Sequence, residues 1–165
     1  MTRNATQPPV TGLTESEIAE IAAEFHHYAD KASVAIEALK IVQKHRRWIS
    51  DEALRAVAAF LELSPEQVEG VATFYNLIYR QPVGRTVIHY CDSVSCWMLG
   101  ADAIRDRLCS RLQVALGETS ADGGFTVLPS ACLGACDHAP VLMVEGELKL
   151  DVSEETIDTI LQGER

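Results

Sequence analysis

Two pairs of cysteines carry the chemistry this chain could perform. Cys91 and Cys96 stand in HYCDSVSCWMLG, a C-x4-C, and Cys132 and Cys136 stand in PSACLGACDHAPVLMV, a C-x3-C. Thirty-five residues separate the pairs, enough for one helix and one strand. Four thiols gathered in this way suggest a four-thiolate metal site, with an iron–sulfur cluster as the leading candidate.

Other chemistries compete for the same residues. A [2Fe–2S] centre takes two thiolates per iron, and two cysteine loops supply them. A structural zinc site also takes four cysteines, usually in tighter C-x2-C pairs, although longer spacings are allowed. A disulfide oxidoreductase needs C-x-x-C, which the C-x4-C here is not. An interaction module stapled by two disulfides conflicts with the reducing compartment implied below. Spacing favours iron–sulfur over zinc and leaves zinc open.

The elements that must position these thiols begin after a break at Gln81-Pro82-Val83-Gly84. Thr86 to Tyr90 is β-branched and aromatic, hence a strand, and it ends at Cys91. Ala101 to Leu116 reads as a helix with Ile104, Leu108, Leu112 and Leu116 inward. Phe125 to Leu128 is a second strand that leads through Pro129 to Cys132. Val141–Val144 and Leu148–Leu150 flank Glu145-Gly146-Glu147 as a hairpin, and Ser153-Glu154-Glu155 opens a last helix. The order β-α-β-β-β-α is that of a thioredoxin-like sheet, with its first two strands parallel because a helix links them. Both cysteine pairs then follow strands at one end of the sheet, where their loops can converge. Pro140 stands where such a fold keeps a cis-proline. Gly134 allows a tight turn that brings backbone N–H groups toward sulfur.

Upstream, residues 14–80 read as four short helices. Thr14 with Glu17 and Ser64-Pro65 with Gln67 form capping boxes, and Ser50 caps a third helix that opens on Asp51 and Glu52. The apolar stripes are Ile18, Ile21, Phe25 and Tyr28; Ile36, Leu39 and Val42; Leu54, Val57, Ala58 and Leu61; and Val68, Val71, Ala72 and Tyr75. Lys44-His45-Arg46-Arg47 reads as a helix C-terminus stabilised by positive charge. No catalytic grouping occurs here, so this region is a packing or docking module. Phe74, Tyr75 and Tyr79 either anchor a partner or fill the bundle core. The whole is an α+β chain, with a disordered tail over 1–13, a helical docking domain over 14–80 and a thioredoxin-like domain with a mixed four-stranded sheet over 84–165.

The chain has 165 residues, 47% of them apolar, and a net charge of −10. Such acidity argues against nucleic acid and against anionic membrane surfaces. No apolar run approaches the roughly 18 residues of a membrane span, and the first residues lack the apolar core of a signal peptide. The sequence reads as cytoplasmic.

At these residues the chain closely resembles the E-subunit family of bacterial NADH:quinone oxidoreductases, the thioredoxin-like [2Fe–2S] subunits of respiratory complex I. The likeness runs over about residues 14–165 and is carried by ASVAIEALKIVQKHRRWIS, VEGVATFYNLIYRQPVGR and the two cysteine motifs. The resemblance implies that Cys91, Cys96, Cys132 and Cys136 ligate one [2Fe–2S] cluster per chain. It implies a flavin-bearing, NADH-binding partner subunit holding FMN and NADH, in the peripheral arm of a proton-translocating complex on the inner (plasma) membrane. It also implies a cluster off the main path to quinone, which limits the lifetime of the flavin radical. Subunits of NAD-linked formate dehydrogenases and hydrogenases share these motifs and stay in play. The chain has no Gly-rich dinucleotide turn, so hydride chemistry belongs to a partner. His89 and His138, two residues from Cys91 and Cys136, lie outside the ligand set. Asp92 and Asp137 add negative charge beside it. Cys109 is a partly buried small residue, and Trp97 and Met98 either shield the cluster or simply pack.

Overall fold

A computed structural model describes residues 12–163. It divides the chain into two compact units, the first ending at Pro82 and the second beginning at Val83. The expected tail falls almost entirely on residues 1–11, outside the described residues.

The first unit holds four helices: α1 (Glu15–Glu24), α2 (Ala35–Arg46), α3 (Asp51–Leu61) and α4 (Pro65–Phe74). Local chemistry starts three of them. Glu17 N–H donates to Thr14 Oγ1 while Thr14 N–H donates to Glu17 Oε2, and Ser64 with Gln67 repeats the device. Ser50 Oγ accepts from Ala53 N–H. Helices this short are marginal alone, and packing stabilises them. Ile21, Leu39, Val42, Val57, Phe60, Leu61 and Val68 are buried together, each side chain contributing about 1.5–3 kcal/mol by leaving water.

Two residues of the expected apolar stripes face out, and so does Phe74. The helical stripe of α1 stops at Glu24, where a 3₁₀ turn over Phe25–His27 takes over, and Tyr28 is exposed. Tyr75 lies past the end of α4 in an extended conformation and is also exposed. Phe74, two positions from buried Ala72, lands on the opposite side of the helix and is 80% exposed. The core reading of Phe74 and Tyr75 is therefore overturned.

The second unit is built on strands β1 (Thr86–Cys91), β2 (Phe125–Ser130), β3 (Leu142–Val144) and β4 (Glu147–Lys149), in sheet order β2-β1-β3-β4. β1 is central and buried along its whole length. It runs parallel to β2 with Thr86 opposite Phe125 and Cys91 opposite Ser130, and antiparallel to β3. The crossover carries α5 (Val94–Met98) and α6 (Ala101–Leu112), and α7 (Glu154–Gly163) closes the unit. Ile88, Tyr90, Ile104, Leu108, Phe125, Val127, Leu142, Val144, Ile157 and Leu161 share one core. The mixed four-stranded α+β architecture is the expected one. The β3–β4 turn is Glu145 and Gly146, with φ of 47° and 88°, the pair of positive angles that a two-residue hairpin favours. The Ala139–Pro140 bond is cis.

α6 ends four residues before the expected Leu116. Gln113 takes a left-handed φ of 54° and terminates the helix without glycine. Val114 then fills the core and Leu116 is left exposed. The five-residue α5 has no start signal in the sequence: Ser93 precedes it without a side-chain cap hydrogen bond, and no acidic residue stands in its first turn. Among the described residues no helix is long and apolar enough to cross a membrane.

Candidate metal centre

The parallel register delivers the two cysteine loops to one end of the sheet. Cys91 is the last residue of β1, and its N–H donates to Val141 O at 3.2 Å. One residue on, Asp92 N–H donates to Ser130 O at 3.1 Å, tying the exit of β1 to the exit of β2. Cys96 follows on α5 and turns inward. Cys132 and Cys136 lie in the loop after β2, with Cys136 opening the 3₁₀ turn Cys136–His138.

The pairs differ in environment. Cys91 and Cys96 are buried with Ala101 and Val141, and Leu133, Ala135 and Ala139 pack around them. Cys132 and Cys136 are exposed. Burial pushes the Cys96 thiol up to about 11, helped by a hydrogen bond with Cys91 and the negative charge of Cys91 and Cys136, against a backbone hydrogen bond from Val141. The Cys96 thiol thus resists ionisation unless a cation compensates, and a bound metal does this by binding the deprotonated form. Gly134, at φ 81°, donates its N–H to Cys132 Sγ at 3.3 Å, the contact its position suggested.

Among the described residues no three cysteine, histidine, aspartate or glutamate side chains are grouped to hold a single ion as they stand. A two-iron cluster asks for two thiolates at each iron, and soft thiolate sets select iron–sulfur or zinc. Two pairs on two loops are a donor set of that chemistry.

The neighbours sort clearly. His89 is buried on β1; burial pushes its imidazole down, opposed by a hydrogen bond with the Pro129 backbone and by the charge of Glu145. His138 is exposed, with Nδ1 3.0 Å from Asp151 Oδ2. Asp151 N–H also donates to His138 O and Val152 N–H to Pro140 O, both at 2.9 Å, so a segment beyond β4 clamps the Cys136 loop. Sequence reasoning missed that clamp, because nothing local marks it. Asp92 and Asp137 are exposed. Cys109 is half-buried against the sheet core, and burial pushes its thiol up. Trp97 and Met98 are exposed, so the reading of them as ordinary packing fails.

Comparison with known proteins agrees with this chemistry. A family model described as thioredoxin-like [2Fe-2S] ferredoxin matches residues 20–165. The E subunit of the NADH-quinone oxidoreductase of Escherichia coli K12 is 46% identical over 159 residues, covering 94% of this chain and 96% of that one. Its counterpart from Pseudomonas aeruginosa is 45% identical over 151 residues, covering 92% and 91%. Among solved structures, an NAD+-reducing [NiFe]-hydrogenase in the H2-reduced state superposes with a TM-score of 0.64 at 26% identity. That match covers 75% of this chain and 21% of the hydrogenase chain.

Proposed function

Because the chain belongs to the thioredoxin-like [2Fe-2S] ferredoxin family, we propose that it serves as the electron-transfer subunit of an NADH:quinone oxidoreductase, holding one [2Fe–2S] cluster on Cys91, Cys96, Cys132 and Cys136. The parallel register of β1 and β2, with Cys91 opposite Ser130, carries the reading, since it sends both cysteine loops to the same sheet end. A bound cluster supplies one-electron chemistry there. The chain's own residues do the rest. Cys91 and Cys96, with Ala101 and Val141, keep water from the inner side. The Gly134 N–H offsets negative charge on the Cys132 sulfur. The Asp151 contacts to His138 hold the turn that begins at Cys136.

FMN and NADH belong on a partner subunit, because the sequence has no dinucleotide-binding turn. The helical unit, residues 14–80, docks on that subunit with Phe74 and Tyr75 as anchors; the two rings meet edge-on at 5.2 Å and are exposed. The assembly is the peripheral arm on the cytoplasmic face of the plasma membrane. A second reading, the equivalent subunit of an NAD-reducing hydrogenase, draws on the likeness to the hydrogenase structure. Identity of 46% over nearly the whole chain favours the first.

Iron, zinc and acid-labile sulfide analysis of anaerobically purified protein, with EPR before and after dithionite, tests the proposal. About two irons and two sulfides per chain with a signal only after reduction are expected. Stoichiometric zinc without sulfide, under iron- and sulfide-replete conditions, would replace it with a structural zinc module.

A further inference from the structure

We propose that the outer face of α5, formed by Val94, Trp97, Met98 and Leu99, docks onto a redox protein that presents an apolar recess rimmed by lysine and arginine. The identity of that partner rests on the electron-transfer reading of the four cysteines.

Val94, Trp97, Met98 and Leu99 are 64%, 59%, 73% and 61% exposed. On a helix, positions three and four apart are neighbours, so Val94, Trp97 and Met98 form one face. Cys96, on the same helix, is buried. The patch is therefore the outer side of the turn whose inner side carries a thiol. Contiguous exposed apolar side chains of this size mark contact sites, and tryptophan and methionine are enriched there. Nothing in the fold of the second unit requires a tryptophan in water.

Charge identifies the occupant. No lysine or arginine occurs between Thr86 and Ile104 or between Phe125 and Leu148, the two stretches that hold all four paired cysteines. Those stretches do hold Asp92, Asp102 and Asp137, all exposed. The first cation beyond the patch, Arg105, is already held by Asp102 and Asp106 at 2.7 and 2.8 Å. A second copy meeting this face about a two-fold axis would set like acidic rims against each other. A basic-rimmed partner meets complementary charge, and it arrives beside the thiol turn.

The test uses the full-length, iron- and sulfide-loaded chain, with the FMN-bearing, NADH-binding subunit of the same oxidoreductase as probe. Two variants are compared with wild type: Val94→Glu with Met98→Glu, and Trp97→Ser. Iron, sulfide and the EPR signal are measured on each sample first. The expected result is affinity weakened by about tenfold or more in both variants with cluster content unchanged. Wild-type affinity should also fall as salt is raised. Unchanged affinity in both variants overturns the proposal. So does a wild-type dimer that both variants dissociate while partner affinity holds. If the wild type carries no sulfide yet both variants still lose the partner, the docking face stands and the cluster reading alone fails.

Discussion

Arg46 grips Glu17 across 29 residues of chain, with Nε 2.6 Å from Oε1 and Nη2 2.6 Å from Oε2. The Glu17 side chain is only 1% exposed and also closes the capping box of α1, so one carboxylate serves a local and a long-range partner. Nη2 of the same guanidinium reaches Gly12 O at 2.6 Å. The pair thus fastens the start of α1 to the last turn of α2.

Removing the cation should leave a buried carboxylate without its main partner. Arg46→Ala is expected to destabilise the helical unit by about 2–3 kcal/mol, less than for a fully buried pair because water reaches the arginine. Burial raises the Glu17 pKa, but the hydrogen bonds from Arg46 and Thr14 and the Arg46 charge outweigh it and hold the carboxyl below its ordinary value. A folded value below the unfolded one means that the stabilisation is present above the unfolded pKa, about 4.3, and is lost as pH falls through the folded value. Urea melts of wild type and Arg46→Ala should therefore differ at pH 7 and converge toward pH 3. A constant gap would show that lost packing, not charge, is responsible.

The four paired cysteines should differ in reactivity before loading. In metal-free protein, iodoacetamide is expected to reach exposed Cys132 and Cys136 about tenfold or more faster than buried Cys91 and Cys96. Peptide mapping over time reads this directly. After iron and sulfide are supplied, all four should be protected together, and Cys109→Ser should bind as much iron as wild type. Protection of only one pair would contradict a shared cluster.

Gly134 and Gly146 offer a matched comparison, with φ of 81° and 88° and no heavy atom near an added Cβ at either. Valine at either site is opposed by backbone conformation alone, costing about 1–2 kcal/mol. Gly146→Val should lower the melting temperature of the apoprotein while leaving the EPR spectrum of the loaded chain unchanged. Gly134→Val should also shift that spectrum and the midpoint potential, because it disturbs the N–H aimed at Cys132 Sγ. Equal spectra would reduce Gly134 to a turn residue.

Phe74→Ser should change folding stability by less than about 0.5 kcal/mol, as expected for an exposed side chain. Phe60→Ala, in the middle of the same unit's core, should cost about 3–5 kcal/mol. Co-purification with the flavin-bearing subunit separates surface from scaffold: Phe74→Ser should be retained poorly although fully folded. Full retention would remove Phe74 from the docking surface.

What the sequence determined by itself is whatever a few neighbouring residues settle among themselves. Thr14 with Glu17, Ser50 with Ala53 and Ser64 with Gln67 start their helices through contacts three residues apart, and Glu145-Gly146 turns its hairpin by its own backbone angles. The β-branched run ending at Cys91 and the helical stretch after it implied a parallel pair and a common end for the cysteine loops. Helix ends at Arg47, Glu62 and Gln113 are harder to read, since each adopts positive φ without glycine while its N–H donates back to a carbonyl of its own helix. Tertiary structure alone decided that Glu17 meets Arg46, that Asp151 clamps the Cys136 turn, and that Phe74 and Trp97 face solvent. It also made one cysteine pair buried and the other exposed. Periodicity says which residues share a face, but only the packing of distant segments decides which face is covered and which charges can meet.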